Sequence, residues 1–326
     1  MGNVITTAVP LLLAFAGALA AAEPGTTRVA RWKDDKAAAF VMMFDDSLPS
    51  HVKNVVPELG KRGFTATFYI NPGAGHYAGQ RQAWEKDIPA AGFELANHTL
   101  THGGGATSAD IAREIAACGE VIHASTPGQP WPRLVSWGQP GGIKKEKWPA
   151  TKEELAAMLA ENHLVNRPDF GGRGAAIAFK TGPEMLAHVD KAVGKGAMEC
   201  VIFHGVGGEW LSVPTAEFTA LLDGLVARAD KVWVTSHIPA HQYATERDGA
   251  SVTVASKDAK RLTLTLASSA DPKWYDLPLT LVTTVPAEWT ACTIDQGKRH
   301  AEATVKDGAV RYEALPGGGP IVIARK

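Results

Sequence analysis

The chain has few cysteines, no excess of either charge, no internal repeat, and no apolar run that spans a bilayer comfortably. Its three cysteines, Cys118, Cys200 and Cys292, form no C-x-x-C pair, which excludes a cysteine-held zinc or a dithiol redox centre and allows at most one disulfide. Cys118 falls in a segment of helical period and Cys200 in an apolar strand-like run, so both read as small buried side chains. A formal net charge of -1 supplies no basic field for a nucleic acid partner. The apolar stretch from about Val9 to Ala22 is short for a membrane span. Its small residues, Ala18-Leu19-Ala20 and then Ala21-Ala22, read as a cleavage site, although no Lys or Arg precedes it. Residues 1–22 are therefore expected to be a signal peptide, the protein to be exported (periplasmic or secreted), and no stable membrane insertion to remain after cleavage.

What the chain does have is alternation. From Ala37 to about His237, seven short apolar runs, "AAFVMMF", "FTATFYI", "FELAN", "RLVSW", "AAIAF", "ECVIF" and "KVWVTSH", are separated by segments of helical period. The helical segments include Ala109 to His123, Lys152 to His163, Pro183 to Val193 and Thr215 to Ala229. Strands alternating with helices at this spacing predict parallel βα units, either as an α/β barrel or as an open doubly wound sheet. Beyond Ala244 to Gly249 the texture changes to period two, in "SVTVAS", "RLTLTLAS", "LPLTLVTTV", "GAVRYEAL" and "PIVIARK", which predicts a small antiparallel β-sandwich. The expected division is 1–22, 23–245 and 246–326.

Three strand ends carry chemistry. The first run stops on "FDDS", with Asp45 and Asp46 side by side; neighbours on a strand point to opposite sides, so the two carboxylates are expected to do different jobs. The third run ends in "HTLTH", placing His98 and His102 four apart, a spacing at which two imidazoles on a helical turn grip one divalent ion. The sixth ends in "IFHG", with His204 before a glycine-rich turn. In parallel α/β folds the carboxyl ends of the strands share one face, so all five side chains are expected at one mouth.

These three motifs, taken in this order, resemble those of the polysaccharide deacetylase family, the NodB-like carbohydrate esterases, over about Ala37 to Tyr243. The resemblance implies a distorted seven-stranded (β/α) barrel, here followed by the small C-terminal antiparallel β domain. It further implies that Asp46, His98 and His102 ligate a divalent metal, with Asp45 as general base and His204 as general acid. The chain departs from the family at the third motif, where an Arg normally precedes a Pro and a Gly; "SWGQPGG" puts Gly138 or Gln139 there. Arg167 in "VNRPDFGG" is the candidate to hold Asp45 instead, with Arg173 behind it. The fourth motif is met only loosely, by Asp169 and Phe170. Gly141 keeps a backbone N–H available for an oxyanion, and Trp137 and Trp210 are candidates to stack on sugar.

The expected function is hydrolytic removal of N- or O-linked acetyl groups from an acetylated glycan, with release of acetate. An Asp-His-His set suits Zn2+ and also accepts Co2+, Ni2+ or Mn2+. Two other readings stand beside it: a barrel hydrolase of a non-sugar amide, suggested by the missing Arg, and a glycan-binding protein with a degraded barrel. His51 and His76 are expected just behind the site, His123, His163 and His188 on helices, and His237 at the end of the last strand.

Overall fold

A computed structural model describes residues 22–326; the expected signal peptide lies outside the described residues except for Ala22. At the centre is β2 (Ala38–Asp45), buried along its whole length. One edge of β2 pairs in parallel with β7 (Met198–Phe203), and the other pairs with β8 (Val232–Thr235) over its first half and β3 (Thr67–Ile70) over its second. The sheet continues from β3 through β4 (Glu94–Asn97) and β5 (Val135–Trp137) to β6 (Leu164–Asn166). A strand covered on both faces needs apolar side chains on both, which is why β2 reads as an unbroken run. Phe40, Met42 and Phe44 face the helices together with Phe68, Phe203 and Phe218, whereas Val41 and Met43 face the interior with Tyr69, Ala96, Cys200 and Ile202.

Among the described residues, five helices of ten residues or more accompany the strands: Ser108–Ser125, Lys152–Glu161, Gly182–Lys195, Thr215–Val226 and His237–Asp248. The first three begin with capping boxes, Thr107 with Asp110, Thr151 with Glu154, and Thr181 with Glu184, each worth about 1 kcal/mol. The sequence places the fifth strand at "AAIAF", but the structure places it at Leu164–Asn166. Residues 175–179 instead belong to an irregular segment whose Gly174 makes a single bridge to Ile202, with Ala175 N donating to Ile202 O at 2.7 Å. That segment lies against the free edge of β7, and the seven strands form a curled, barrel-like sheet.

The C-terminal strands form two antiparallel sheets. One runs β13 (Arg299–Thr304), β12 (Ala291–Gln296), β15 (Ile321–Arg325), β10 (Arg261–Ser268), β9 (Ala250–Lys257). The other runs β1 (Thr27–Val29), β11 (Leu279–Thr284), β14 (Ala309–Ala314). Leu262, Leu264 and Leu266 are buried while their neighbours face outward, the alternation of a half-covered sheet. β1 precedes the barrel in sequence yet pairs with β11, Thr27 opposite Thr283; three residues are too few to show a period.

The sandwich core runs into the barrel without a break. Trp32, 4% exposed, stacks on Tyr243 at 6.2 Å between ring centres and lies 6.5 Å from Trp233. Tyr243 Oη donates to Ala30 O at 3.1 Å and accepts from Thr280 N at 3.3 Å. Removing an aromatic ring from such a seam leaves a cavity, so Trp32→Ala is expected to cost about 3–5 kcal/mol. Urea unfolding followed by circular dichroism checks this, and the transition should remain single because both units share this core.

Candidate active site

All strands of the curled sheet point the same way, so Asp45, His98 and His204 arrive at one end of it, and a cavity of about 590 Å³ opens there. The first strand stops at Asp45, which faces inward and is 3% exposed. Asp46 and Ser47 then take left-handed backbone, φ 76° and 52°, a conformation L-residues rarely adopt. The turn brings the Asp46 carboxylate back over the same mouth, so the two neighbours, expected on opposite sides, both face His98. Asp45 Oδ2 lies 3.8 Å and Asp46 Oδ1 3.5 Å from His98 Nε2.

"HTLTH" is not helical. It bends through left-handed residues at Thr99, φ 66°, and His102, φ 61°, and these bends present both imidazoles, 5.1 Å apart between ring centres. The bends are fastened by hydrogen bonds: Asn71 Nδ2 donates to His98 O at 2.5 Å and to Thr99 O at 3.1 Å, and Thr99 N donates to Asn97 Oδ1 at 3.0 Å. His98 Nδ1 donates to Gly138 O at 2.6 Å, which leaves Nε2 as the acceptor facing the carboxylates, the arrangement that orients metal-binding imidazoles.

Asp46, His98 and His102 each offer an atom within 4.8 Å of the other two. Asp46 Oδ1 is 3.5 Å from both His98 Nε2 and His102 Nε2, yet it is buried and without a hydrogen-bond partner among the described residues. Ligand atoms about 2.0–2.1 Å from a tetrahedral ion stand about 3.3 Å from one another. The orphaned oxygen and the two free Nε2 atoms therefore fit a small divalent cation.

Asp45 is held differently. Arg167 Nη1, at the end of β6, donates to Oδ1 at 2.7 Å and Oδ2 at 2.9 Å. Burial alone would raise the Asp45 carboxyl; Arg167 first, then His98 and His204, outweigh it and keep it below the usual carboxylate range. Arg173 goes elsewhere, donating to Asp169 O at 2.8 Å and pairing with Glu199 at 3.3 Å. Asp169 accepts from Gly171 N at 2.8 Å and does not reach His204.

His204 Nε2 stands 3.8 Å from Asp46 Oδ2. Its backbone O accepts from His51 Nε2 at 2.7 Å, and burial lowers His51 to about 4, so it donates as a neutral ring. His76 Nε2 donates to Asp46 O at 2.6 Å. Neither role is visible in the sequence beyond a position soon after a strand. Trp210 meets the His204 ring edge to face at 4.7 Å and is 63% exposed. Its neighbours Glu209 and Leu211 have φ 64° and 47°. Trp137 lines the cavity but is 1% exposed and packs on Ile111, Ile115, Met158 and Leu159; it is a wall of the cavity, and the stacking face expected from the sequence is not free. Gly141 lines the opening, with no atom within 4 Å of where a Cβ would stand.

The structure thus places an acidic pair and three histidines at the carboxyl end of a curled parallel sheet. Residues 33–162 match the family model for polysaccharide deacetylase. The matched segment contains Asp45, Asp46, His98 and His102 and ends before Arg167 and His204. A gellan lyase from Bacillus sp is 22% identical over 348 aligned positions, covering 92% of this chain; the chain spans 13% of that protein's length. Among solved structures, the catalytic domain of a peptidoglycan N-acetylglucosamine deacetylase from Eubacterium rectale is 14% identical, with 61% of this chain and 92% of that one covered and a TM-score of 0.46. A family 4 carbohydrate esterase from Streptomyces lividans is 18% identical, with 61% and 92% covered and a TM-score of 0.40. A family 4 pseudoenzyme from Bacillus anthracis is 18% identical, with 62% and 64% covered and a TM-score of 0.42.

Removing Arg167 leaves a buried carboxylate without its cation, so Arg167→Ala is expected to destabilise the fold by about 3–5 kcal/mol at neutral pH. Asp45→Asn in the same background should recover much of the loss. The folded Asp45 carboxyl lies below its unfolded value of about 4, so the pair stabilises above that pH and its contribution fades as the pH falls through the folded value. Urea titrations at pH 7 and at pH 3 check both points.

Proposed function

We propose that this protein is a metal-dependent hydrolase that removes acetyl groups from an acetylated polysaccharide or glycoconjugate and releases acetate. The observation that carries this reading is the buried, partnerless Asp46 Oδ1 facing two free imidazole nitrogens, beside a carboxylate kept charged by Arg167. Asp46, His98 and His102 would hold the ion, Zn2+ by donor set with Co2+, Ni2+ or Mn2+ also accommodated. When bound, such an ion lowers the pKa of a water toward neutrality and polarises an acyl carbonyl.

The rest falls to the chain's own groups. Asp45, ionised and facing the mouth, takes the proton of the attacking water, and Arg167 fixes the carboxylate in the orientation that does so. His204, on the opposite side of the Asp46 carboxylate, delivers a proton from Nε2 to the departing amine or alcohol. The backbone N–H of Gly141, which lines the cavity, would take the oxyanion role, and the exposed Trp210 ring the apolar face of a sugar. An exported protein would meet such glycans outside the cytoplasm; no helix among the described residues is long and apolar enough to cross a membrane. A second reading, hydrolysis of a smaller non-sugar amide, draws support from the apolar residues Phe170, Ile177, Trp210 and Leu211 around the cavity.

Metal analysis and acetate release on the same preparations test the division of roles. Asp46→Ala, His98→Ala and His102→Ala should lose metal and activity together. Asp45→Asn and His204→Ala should retain metal and lose on the order of 10² to 10⁴ in rate. Metal loss in His204→Ala would overturn the assignment. Failure to release acetate from any of several acetylated glycans, with cleavage of a small amide instead, would decide for the second reading.

A further inference from the structure

Arg167 holds Asp45, and the residues that hold Arg167 stand behind it. Its guanidinium carbon lies 5.0 Å from the centre of the Tyr69 ring and 5.3 Å from that of Phe170, within the range at which an aromatic face attracts a cation. Phe170 lines the cavity; Tyr69 does not. Tyr69 is fully buried inside the barrel and is fixed at its far end. Its hydroxyl shares a 2.7 Å hydrogen bond with Ser136 Oγ, which shares another of 2.7 Å with His237 Nδ1. The His237 amide donates to Thr67 Oγ1 at 2.9 Å. A phenylalanine would fill the same space without a polar string crossing an apolar interior, so the string is an expense that filling alone does not explain.

Gly138 completes the seat. Its N donates to Asn97 O at 3.0 Å and its O accepts from His98 Nδ1 at 2.6 Å, so its backbone cannot move aside freely. A Cβ there would stand 2.8 Å from Tyr69 Cδ1 and 2.9 Å from Arg167 Nη1. The side chain missing at Gly138 leaves the room in which the guanidinium lies. Its φ is not among the left-handed values, so the need for glycine here is one of space.

We propose that Tyr69 and Gly138 are positioning residues that set the Arg167 guanidinium on Asp45, with Ser136 and His237 fixing the Tyr69 ring. The kinetic part of this inference rests on the reading of Asp45 as the base; the seating of Arg167 does not.

Two measurements test it. In NMR of protein labelled at arginine, with Arg167 assigned from the signal missing in Arg167→Lys, the wild type should show separate, slowly exchanging Nη hydrogens. In Tyr69→Leu and in Gly138→Ala these should merge into a rotationally averaged signal. Unchanged Arg167 signals in both variants would overturn the proposal, whether or not any glycan is turned over. In acetate release, Gly138→Ala and Tyr69→Leu should lower kcat on the order of 10²-fold, with KM and bound metal unchanged. The double variant Tyr69→Leu/Arg167→Lys should be no slower than Arg167→Lys alone. Additive losses, or losses that follow metal content, would refute the positioning role. If Tyr69→Leu does not fold, Tyr69→Phe, which keeps the ring and releases it from Ser136, should show a smaller loss of the same kind; full activity together with unaltered Arg167 signals in both Tyr69→Phe and Gly138→Ala would count as refutation. Absence of acetate release from every glycan, with averaged Arg167 signals in the variants, would sink the proposed function and leave the seat standing.

Discussion

The constraint on which the rest of the site depends is a charge placed where charge is expensive. Asp45 closes a strand that is buried on both faces, and a carboxylate there persists only because a guanidinium meets it from another strand with two short contacts. Without that partner the group would take up a proton or pull the strand end apart. Because β6 must end beside β2's mouth to supply Arg167, the curvature of the sheet, the bridge at Gly174 and the empty volume at Gly138 all bear on the ionisation of one side chain.

A second organising feature is backbone conformation. Asp46, Ser47, Thr99 and His102 all occupy left-handed φ, at a cost of order 1–3 kcal/mol each, and they cluster where donor atoms converge. Asn71 ties the two bends to each other: its backbone N–H donates to Ser47 Oγ at 2.8 Å and its Nδ2 donates to His98 O at 2.5 Å. The bend holding the acid and the bend holding the imidazoles are thus one fastened unit, which keeps three like-minded donors around a common point.

Much of this could be read from residues alone, and the reason is periodicity. Strands buried on both faces stand out as apolar runs, and a polar residue at the end of such a run marks the functional face; Asp45, His98 and His204 were visible in that way. The signal fails where a strand is short and half polar: "LVN" has no strand period while the irregular "AAIAF" does, although Arg167 follows the true strand directly. Periodicity also says nothing about φ, so the turn at Asp46 and the non-helical bends of "HTLTH" had no signal. The buried chain through Tyr69, Ser136 and His237 unites residues 101 positions apart at one link, and no local pattern announces such a contact. Trp137 shows the converse, since a tryptophan at a strand end looks like a platform until its neighbours on two helices are seen to cover it.

The pairing of β1 with β11 reaches across the whole chain: Thr27 and Thr283 share a hydrogen bond 256 positions apart. During synthesis, the opening strand emerges first and waits, with no partner until nearly everything downstream has left the ribosome. Contacts of such long range are slow to form, and an interrupted chain lacking β11 and β14 would leave β1 with an unpaired edge. Only a polypeptide that has reached β11 can give β1 its partner.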